Sequence, residues 1–82
     1  MTKYILFTGT DCHLCDVAKQ LLKEQFTIGS LTYYSQVSEI NVKVERDYFH
    51  EYGARIPVLK KTSDNTELGW PFDAGNLKEF IK

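Results

Sequence analysis

The residues with the clearest chemical potential are the only two cysteines of the chain, Cys12 and Cys15. Side chains three positions apart on a helix are neighbours, with Cβ atoms about 5–6 Å apart. A disulfide tolerates Cα separations of about 4.4–6.8 Å, so a helical pair with this spacing is joined or opened with little backbone movement. The spacing therefore predicts a dithiol that cycles between a reduced and a disulfide-bonded state.

The two sulfurs are expected to differ in reactivity because they lie at different depths of one helix start. Cys12 is predicted at the exposed N-terminus, whereas Cys15 lies one turn further in and is partly shielded. A free thiol has a pKa of about 8.5. First-turn amides such as the N–H of Cys15 would lower the pKa of Cys12 by hydrogen bonding to its thiolate. His13, when protonated, would tune the thiolate in the same direction, and Asp16 would oppose it.

Two other interpretations of the cysteine pair stay open at this point. The first is a pair of small, buried, inert thiols. The second is a zinc site, which needs four ligands and could draw within one chain only on His13 and His50 besides the two thiols. The position of the pair after a predicted strand and turn favours the redox interpretation over both.

The hydrophobic pattern predicts seven elements that position this pair. Their order is strand, helix, strand, helix, strand, strand, helix, over residues 3–8, 12–26, 33–40, 45–52, 57–61, 66–70 and 76–81. The two strands joined by residues 62–65 have the turn residues and spacing of a hairpin. A parallel pair around the first helix, followed by the hairpin, predicts an α/β fold with a mixed four-stranded sheet and three helices on both faces.

The first helix has the strongest pattern, because its apolar residues recur at three- and four-residue steps. The stripe comprises Leu14, Val17, Ala18, Leu21, Leu22 and Gln25. In the second strand, Val37 and Ile40 are the expected core residues.

The two shorter helices are predicted from their ends. The helix over 45–52 is expected to carry Phe49 and Tyr52 inward, with Gly53 as its C′ residue. The last helix is expected to begin at Asn76, which has capping-box spacing to a later glutamate. Asp73 is a competing cap for the same helix.

Length, composition and charge exclude several classes of protein. Eighty-two residues suffice for one small domain, here predicted over residues 1–82. The net charge of −1, with acidic and basic residues intermixed, offers no basic stripe for nucleic acid. The longest apolar run, residues 4–7, is too short to span a membrane or to act as a secretory signal. We therefore expect a cytoplasmic protein, in which thiols stay reduced.

Beyond this pattern, the chain resembles glutaredoxin-like proteins of the thioredoxin fold, most closely a small bacterial branch with a Cys-His-Leu-Cys motif. The resemblance covers nearly the whole chain and is weakest over residues 27–38. The matching segments are Cys12-His13-Leu14-Cys15-Asp16, Leu21-Leu22, Tyr52-Gly53-Ala54-Arg55-Ile56-Pro57-Val58-Leu59 and Trp70-Pro71-Phe72-Asp73.

The resemblance implies roles for individual residues. Cys12 matches the attacking cysteine and Cys15 the resolving one. Pro57 matches a proline held in the cis form beside the redox pair, which would leave the N–H and C=O of Ile56 free to pair with an extended peptide or with glutathione. Arg55 is a candidate for a substrate carboxylate, with a merely solvated side chain as the alternative.

The chain also departs from ordinary glutaredoxins near the substrate groove. Their motif usually has Pro and Tyr where His13 and Leu14 stand, and they carry a Gly-Gly pair of which only Gly69 is present. Trp70 replaces the second glycine, so it would either line the groove as an apolar wall or simply close the core. Residues 8–11 contain no lysine, a cation often used there for the glutathione carboxylate.

The resemblance therefore implies a dithiol–disulfide oxidoreductase with no bound cofactor. Its substrates would be disulfide-containing proteins or glutathione mixed disulfides. Glutathione, as a co-substrate, or a flavoprotein reductase would reduce the pair again. The alternative is a binding module of the same fold, in which the region of Trp70 and Phe72 docks a partner and the cysteine pair is a redox switch or inactive.

Overall fold

The centre of the fold is a single mixed sheet within residues 3–26, 33 and 35–81, which the computed structural model describes. Its strands are β1 (Tyr4–Thr8), β2 (Val37–Asn41), β3 (Val58–Lys61) and β4 (Glu67–Gly69). The four strands lie in the order β2-β1-β3-β4. β1 pairs in parallel with β2, and β3 pairs antiparallel with both β1 and β4. The predicted α/β fold with a mixed four-stranded sheet is confirmed.

The described helices lie on both faces of this sheet. They are α1 (His13–Gln25), α2 (Phe49–Tyr52) and α3 (Ala74–Phe80), and a single 3-10 turn (Arg46–Tyr48) precedes α2. None of these helices is long and apolar enough to cross a bilayer.

Alternating residues of β1 create two apolar cores, because successive side chains of a strand point to opposite faces. Leu6 packs with α1 and α3 on one face, and Phe7 packs with α2 on the other. The first core includes Ala18, Leu22, Leu59 and Leu77, and the second comprises Phe7, Val42, Tyr52 and Val58. Each fully buried leucine contributes about 1.5–3 kcal/mol relative to an exposed one.

The second strand begins later than predicted, at Val37. Residues 33, 35 and 36 are helical, and residue 34 lies outside the described residues. Tyr33 is fully buried in the first core, and its hydroxyl donates to Glu39 at 2.7 Å. The aromatic residue that favoured a strand therefore serves a helical turn, because tertiary packing overrides β propensity here. Val37 is buried as expected, and Ile40 packs against the second core.

Two inward positions predicted from helical periodicity are wrong. Leu14 is 45 % exposed, because the buried stripe of α1 runs through Cys15, Ala18 and Leu22 instead. Phe49 is 44 % exposed. Tyr48, which lies four residues before the buried Tyr52, contacts Phe7 in its place, with the ring centroids of Tyr48 and Phe7 5.3 Å apart.

Both helix-end predictions also need correction. Gly53 has φ −55°, so it is not the left-handed C′ residue expected. A Cβ there would lie 2.5 Å from the Phe49 carbonyl oxygen, and this close approach is what requires glycine. α3 begins at Ala74 with Asp73 as its cap, since the Asp73 carboxylate accepts from the Asn76 N–H at 2.8 Å and the Asn76 side chain accepts from the Asp73 N–H.

Candidate active site

The cysteine pair lies at the N-terminus of α1. Cys12 is the N-cap residue, and a disulfide joins it to Cys15 over a Cα–Cα distance of 5.2 Å. The Cys15 N–H donates to the Cys12 sulfur at 3.1 Å. Asp11 precedes the pair with φ 54°, a left-handed conformation that aspartate tolerates better than most residues. The helix start therefore places one sulfur directly on a backbone amide.

The two sulfurs differ in their access to solvent. Cys15 is 1 % exposed and packs inside the first turn of α1, whereas Cys12 is half-buried. A disulfide or thiol arriving from outside therefore meets Cys12 first, and Cys15 reaches it only from within the protein. The two cysteines thus differ in exposure in the predicted order, and the attacking and resolving roles that the resemblance implies for them stay predictions.

Three segments converge at the end of the sheet that carries the pair. Phe7 near the end of β1 pairs with Val58 at the start of β3, and Val58 pairs with Gly69 at the end of β4. Consequently, three segments lie together at this end of the sheet: the loop to Cys12, the residues before β3 and the residues after β4. The Trp70 N–H donates to the Pro57 carbonyl at 3.2 Å at the same end.

Ile56 lies against the loop that leads to the cysteine pair, and Pro57 follows it directly before β3. The Ile56–Pro57 peptide bond is cis. A Cβ at Gly9 would lie 2.5 Å from Cδ1 of Ile56, so the glycine leaves room for that side chain. The predicted freedom of the Ile56 backbone is wrong for its N–H, which donates to the Tyr52 carbonyl at 3.1 Å. The bend after α2 supplies this acceptor locally, because the Arg55 N–H also donates to the Tyr52 carbonyl, at 2.8 Å.

Arg55 is neither simply solvated nor free for a substrate. Its Nη2 atom donates to Oε1 of Glu67 at 2.6 Å, and its guanidinium lies 5.2 Å from the Tyr52 ring centroid. The Tyr52 hydroxyl donates to the other carboxylate oxygen of Glu67, also at 2.6 Å. Sequence reasoning missed this triad because only the hairpin register brings Glu67 to α2.

The triad shifts the acid–base behaviour of all three side chains. The hydrogen bond from Tyr52, and then that from Arg55, hold the pKa of Glu67 below its ordinary value. Burial, and then the hydrogen bond to Glu67, raise the pKa of Tyr52. The hydrogen bond to Glu67 raises the pKa of Arg55. Glu67 therefore carries a negative charge that both neighbours stabilise.

We expect this carboxylate to make stability depend on acidic pH. A carboxylate with a depressed folded pKa stabilises the protein fully above its unfolded pKa, about 4.3, and this contribution is lost as the pH falls through the folded value. Glu67→Gln should destabilise the protein by about 1 kcal/mol at pH 7. Urea unfolding of both proteins should show this difference shrinking below about pH 5. A difference that stays constant down to pH 2 would contradict the assignment.

Trp70 and Phe72 form one edge-to-face aromatic pair with ring centroids 5.0 Å apart. Phe72 is 5 % exposed and belongs to the first core, and the half-buried Trp70 packs against that core. The pair therefore closes the core, and Phe72 offers no surface on which a partner could dock. Trp70 itself is half-buried and lies directly after β4.

The two histidines lie on different helices. His13 is exposed at the first position of α1, directly beside Cys12, and His50 is exposed on α2. Within residues 3–26, 33 and 35–81, no group of three or more His, Cys, Asp or Glu side chains is arranged to hold a metal ion.

A lysine contacts the loop before Cys12, although residues 8–11 contain no lysine of their own. Lys43, in the turn after β2, donates from Nζ to the Thr10 carbonyl at 3.2 Å. Asn41 donates from its side chain to the Thr10 hydroxyl at 3.1 Å. No sequence signal identifies these residues, because the contact depends on the register that pairs Thr8 with Asn41.

Comparisons with known proteins agree with this geometry. The family model described as glutaredoxin-like domain (DUF836) matches residues 3–82. The X-ray structure of Northeast Structural Genomics target protein XcR50 from X. campestris is 32 % identical, with a TM-score of 0.76 over 95 % of this chain and 93 % of that chain. Its solution structure is 31 % identical, with a TM-score of 0.75 over 98 % of this chain and 92 % of that chain. No curated protein matches the chain.

Proposed function

Because the chain belongs to the glutaredoxin-like domain family, we propose that it is a thiol–disulfide oxidoreductase that uses Cys12 and Cys15 to reduce disulfides or mixed disulfides. The observation that carries this proposal is the half-buried residue Cys12, whose sulfur accepts from the Cys15 amide and is bonded to the sulfur of the buried Cys15. A buried, inert pair would not expose one of its two sulfurs at a helix N-terminus.

The reaction begins with the reduced pair. The Cys12 thiolate attacks one sulfur of the substrate disulfide, that bond breaks, and the departing substrate thiolate takes a proton from the solvent. Cys12 and the remaining substrate sulfur are then joined in a mixed disulfide. The Cys15 thiol loses its proton and attacks the Cys12 sulfur, releasing the second substrate thiol. Two electrons have passed to the substrate, and the Cys12–Cys15 disulfide of this structure is the oxidised product.

The helix start favours the thiolate needed for the first step. A hydrogen bond from a backbone amide to an ionised sulfur is about twice as strong as one to a neutral acceptor. The dipole of α1 adds about 0.3–2 kcal/mol at its N-terminus. Both effects act on Cys12 as the N-cap residue, and the exposed His13 beside it adds positive charge when protonated.

The surroundings of the pair restrict how a substrate binds. The Ile56 N–H is occupied, so an extended peptide or glutathione would pair at most with the Ile56 carbonyl. The exposed part of Trp70 would form an apolar wall beside Pro57. A substrate carboxylate would have to compete with Glu67 for Arg55. These features favour disulfide-containing proteins over glutathione mixed disulfides as substrates.

Glutathione or a flavoprotein reductase would return the pair to the dithiol state, with no bound cofactor required. A cytoplasmic location suits this cycle, because thiols there are kept reduced.

Titration of the pair against reduced and oxidised glutathione, followed by intact-mass spectrometry, tests the proposal. We expect the protein to interconvert between a dithiol and an intramolecular disulfide, with a transient adduct of one glutathione on Cys12. A protein that stays a dithiol at every glutathione ratio would refute a redox function. Adducts on Cys15 alone would refute the assigned order of attack.

A further inference from the structure

Three residues tie the loop before the nucleophile to the neighbouring strand. Thr10 lies two residues before Cys12, and both its hydroxyl and its carbonyl accept hydrogen bonds, from Asn41 and Lys43 respectively. The Asn41 side chain is itself held, because its Oδ1 atom accepts from the Lys43 N–H at 2.9 Å. We call Thr10, Asn41 and Lys43 the Thr10 clamp.

The clamp acts on a segment whose conformation needs support. Asp11 stands between the clamp and Cys12 with φ 54°. Outside glycine, a left-handed residue is held by its surroundings, because the conformation costs about 1–3 kcal/mol. The ladder between β1 and β2 ends at the pair Thr8 and Asn41, so it does not extend to this bend.

The clamp is connected to the sheet and to the second core by backbone hydrogen bonds. The Asn41 carbonyl accepts from the backbone N–H groups of Val44 and Glu45, at 3.0 and 2.7 Å. The Val42 N–H donates to the Thr8 carbonyl at 2.9 Å, and Val42 is fully buried in the second core. Through these bonds the clamp fixes the position of Thr10 relative to the sheet and the second core.

We propose that Asn41 and Lys43 are positioning residues for the nucleophile, which hold Thr10 so that the Asp11 bend keeps the Cys12 sulfur on the Cys15 amide. This inference rests on the proposed function. Neither residue touches the reacting atoms. Since thiolate stabilisation falls off with the geometry of that amide contact, release of Thr10 makes Cys12 less acidic and less reactive.

The charge of Lys43 is the alternative explanation for an effect on Cys12. Lys43 is exposed and its ammonium group donates to the Thr10 carbonyl, so solvent and salt screen its field, with a Debye length of about 8 Å at physiological ionic strength. Asn41 carries no charge. A positioning role therefore predicts the same effect from both residues, whereas an electrostatic role predicts an effect from Lys43 alone.

The test measures the rate of Cys12 alkylation against pH in the reduced protein, together with the equilibrium of the pair with glutathione. We expect Asn41→Ala and Lys43→Met each to lower the alkylation rate at pH 7 about three- to tenfold, to move the midpoint of the pH profile upward, and to shift the glutathione equilibrium toward the disulfide. Lys43→Arg, which keeps a donor and the charge, should show the same pH profile as the wild type. Lys78→Met removes an exposed lysine of α3 and is the matched control, with no expected change.

A double-mutant cycle adds a direct measure of the contact. The effects of Asn41→Ala and Thr10→Val should be strongly non-additive, because both remove the same hydrogen bond. Thermal unfolding of Thr10→Val and Lys43→Met should stay near wild type, since Thr10 and Lys43 are exposed.

A wild-type profile in Asn41→Ala would overturn the inference, even if Lys43→Met is impaired, because charge alone would then explain the effect. An impaired Lys43→Arg profile would also overturn the inference, because that variant keeps the donor that is proposed to hold Thr10. The alkylation assay needs no disulfide substrate. It therefore tests the clamp separately from the proposed function, which fails instead if wild type shows no redox exchange with glutathione.

Discussion

Replacing Cys12 by serine should abolish disulfide reduction, by about a thousandfold or more, because a serine hydroxyl cannot replace the thiolate as the attacking group. Replacing Cys15 by serine should leave the first step intact. Cys15 is buried and, in the proposed mechanism, its sulfur enters only when the mixed disulfide is resolved. The two variants therefore separate attack from resolution.

The measurement is the release of substrate thiol from a peptide disulfide, with intact-mass spectrometry of the protein. The Cys15→Ser variant should release one equivalent of thiol and then stop as a stable adduct on Cys12. The Cys12→Ser variant should release none. Turnover by Cys12→Ser at a rate near wild type would eliminate the mechanism. Both variants should unfold close to the wild-type temperature under reducing conditions, which serves as the control for folding.

The largest effect on stability is expected at Tyr52, which is 1 % exposed and stacks on Phe7 with ring centroids 3.9 Å apart. Tyr52→Ala removes a buried ring and should lower the free energy of unfolding by about 3–5 kcal/mol. A domain of this length has a total stability of about 4–12 kcal/mol, so the variant is expected to be partly unfolded at 37 °C.

The conservative variant isolates the hydroxyl of Tyr52. Tyr52→Phe keeps the stacked ring and loses only the hydrogen bond to Glu67, so we expect a loss of about 1.5 kcal/mol by urea unfolding. Tyr48→Phe is the matched control, because Tyr48 also contacts the Phe7 ring but is 39 % exposed. Equal losses in Tyr52→Phe and Tyr52→Ala would show that the stacked ring contributes nothing.

Much of the fold was predictable because local patterns and tertiary packing agree in most elements. α1 and the hairpin show this agreement, since period and turn residues both favour the observed structure. Tyr33 shows the opposite case, because an aromatic side chain suits a strand and a buried helical turn equally well. Phe49 was expected inward together with Tyr52, but Tyr48, four residues before Tyr52, contacts Phe7 instead.

The candidate site was predictable only where its residues are close in sequence. Cys12 and Cys15 needed nothing beyond helical spacing. The engagement of Arg55 by Glu67, and that of Thr10 by Lys43, depend on strand register and on loop paths that one sequence does not reveal. The Ile56 N–H was assigned to a substrate because the acceptor that the turn after α2 supplies had no sequence signature.

The alternation of Leu6 and Phe7 along β1 connects both cores to the cysteine pair. β1 contributes residues to both cores, and the loop to Cys12 follows directly after its last residue. We expect a substitution that disrupts either core, even the core on the face remote from α1, to shift β1 and with it the position of the Cys12 sulfur. We therefore expect the reactivity of the half-buried Cys12 to fall in variants that disrupt either core.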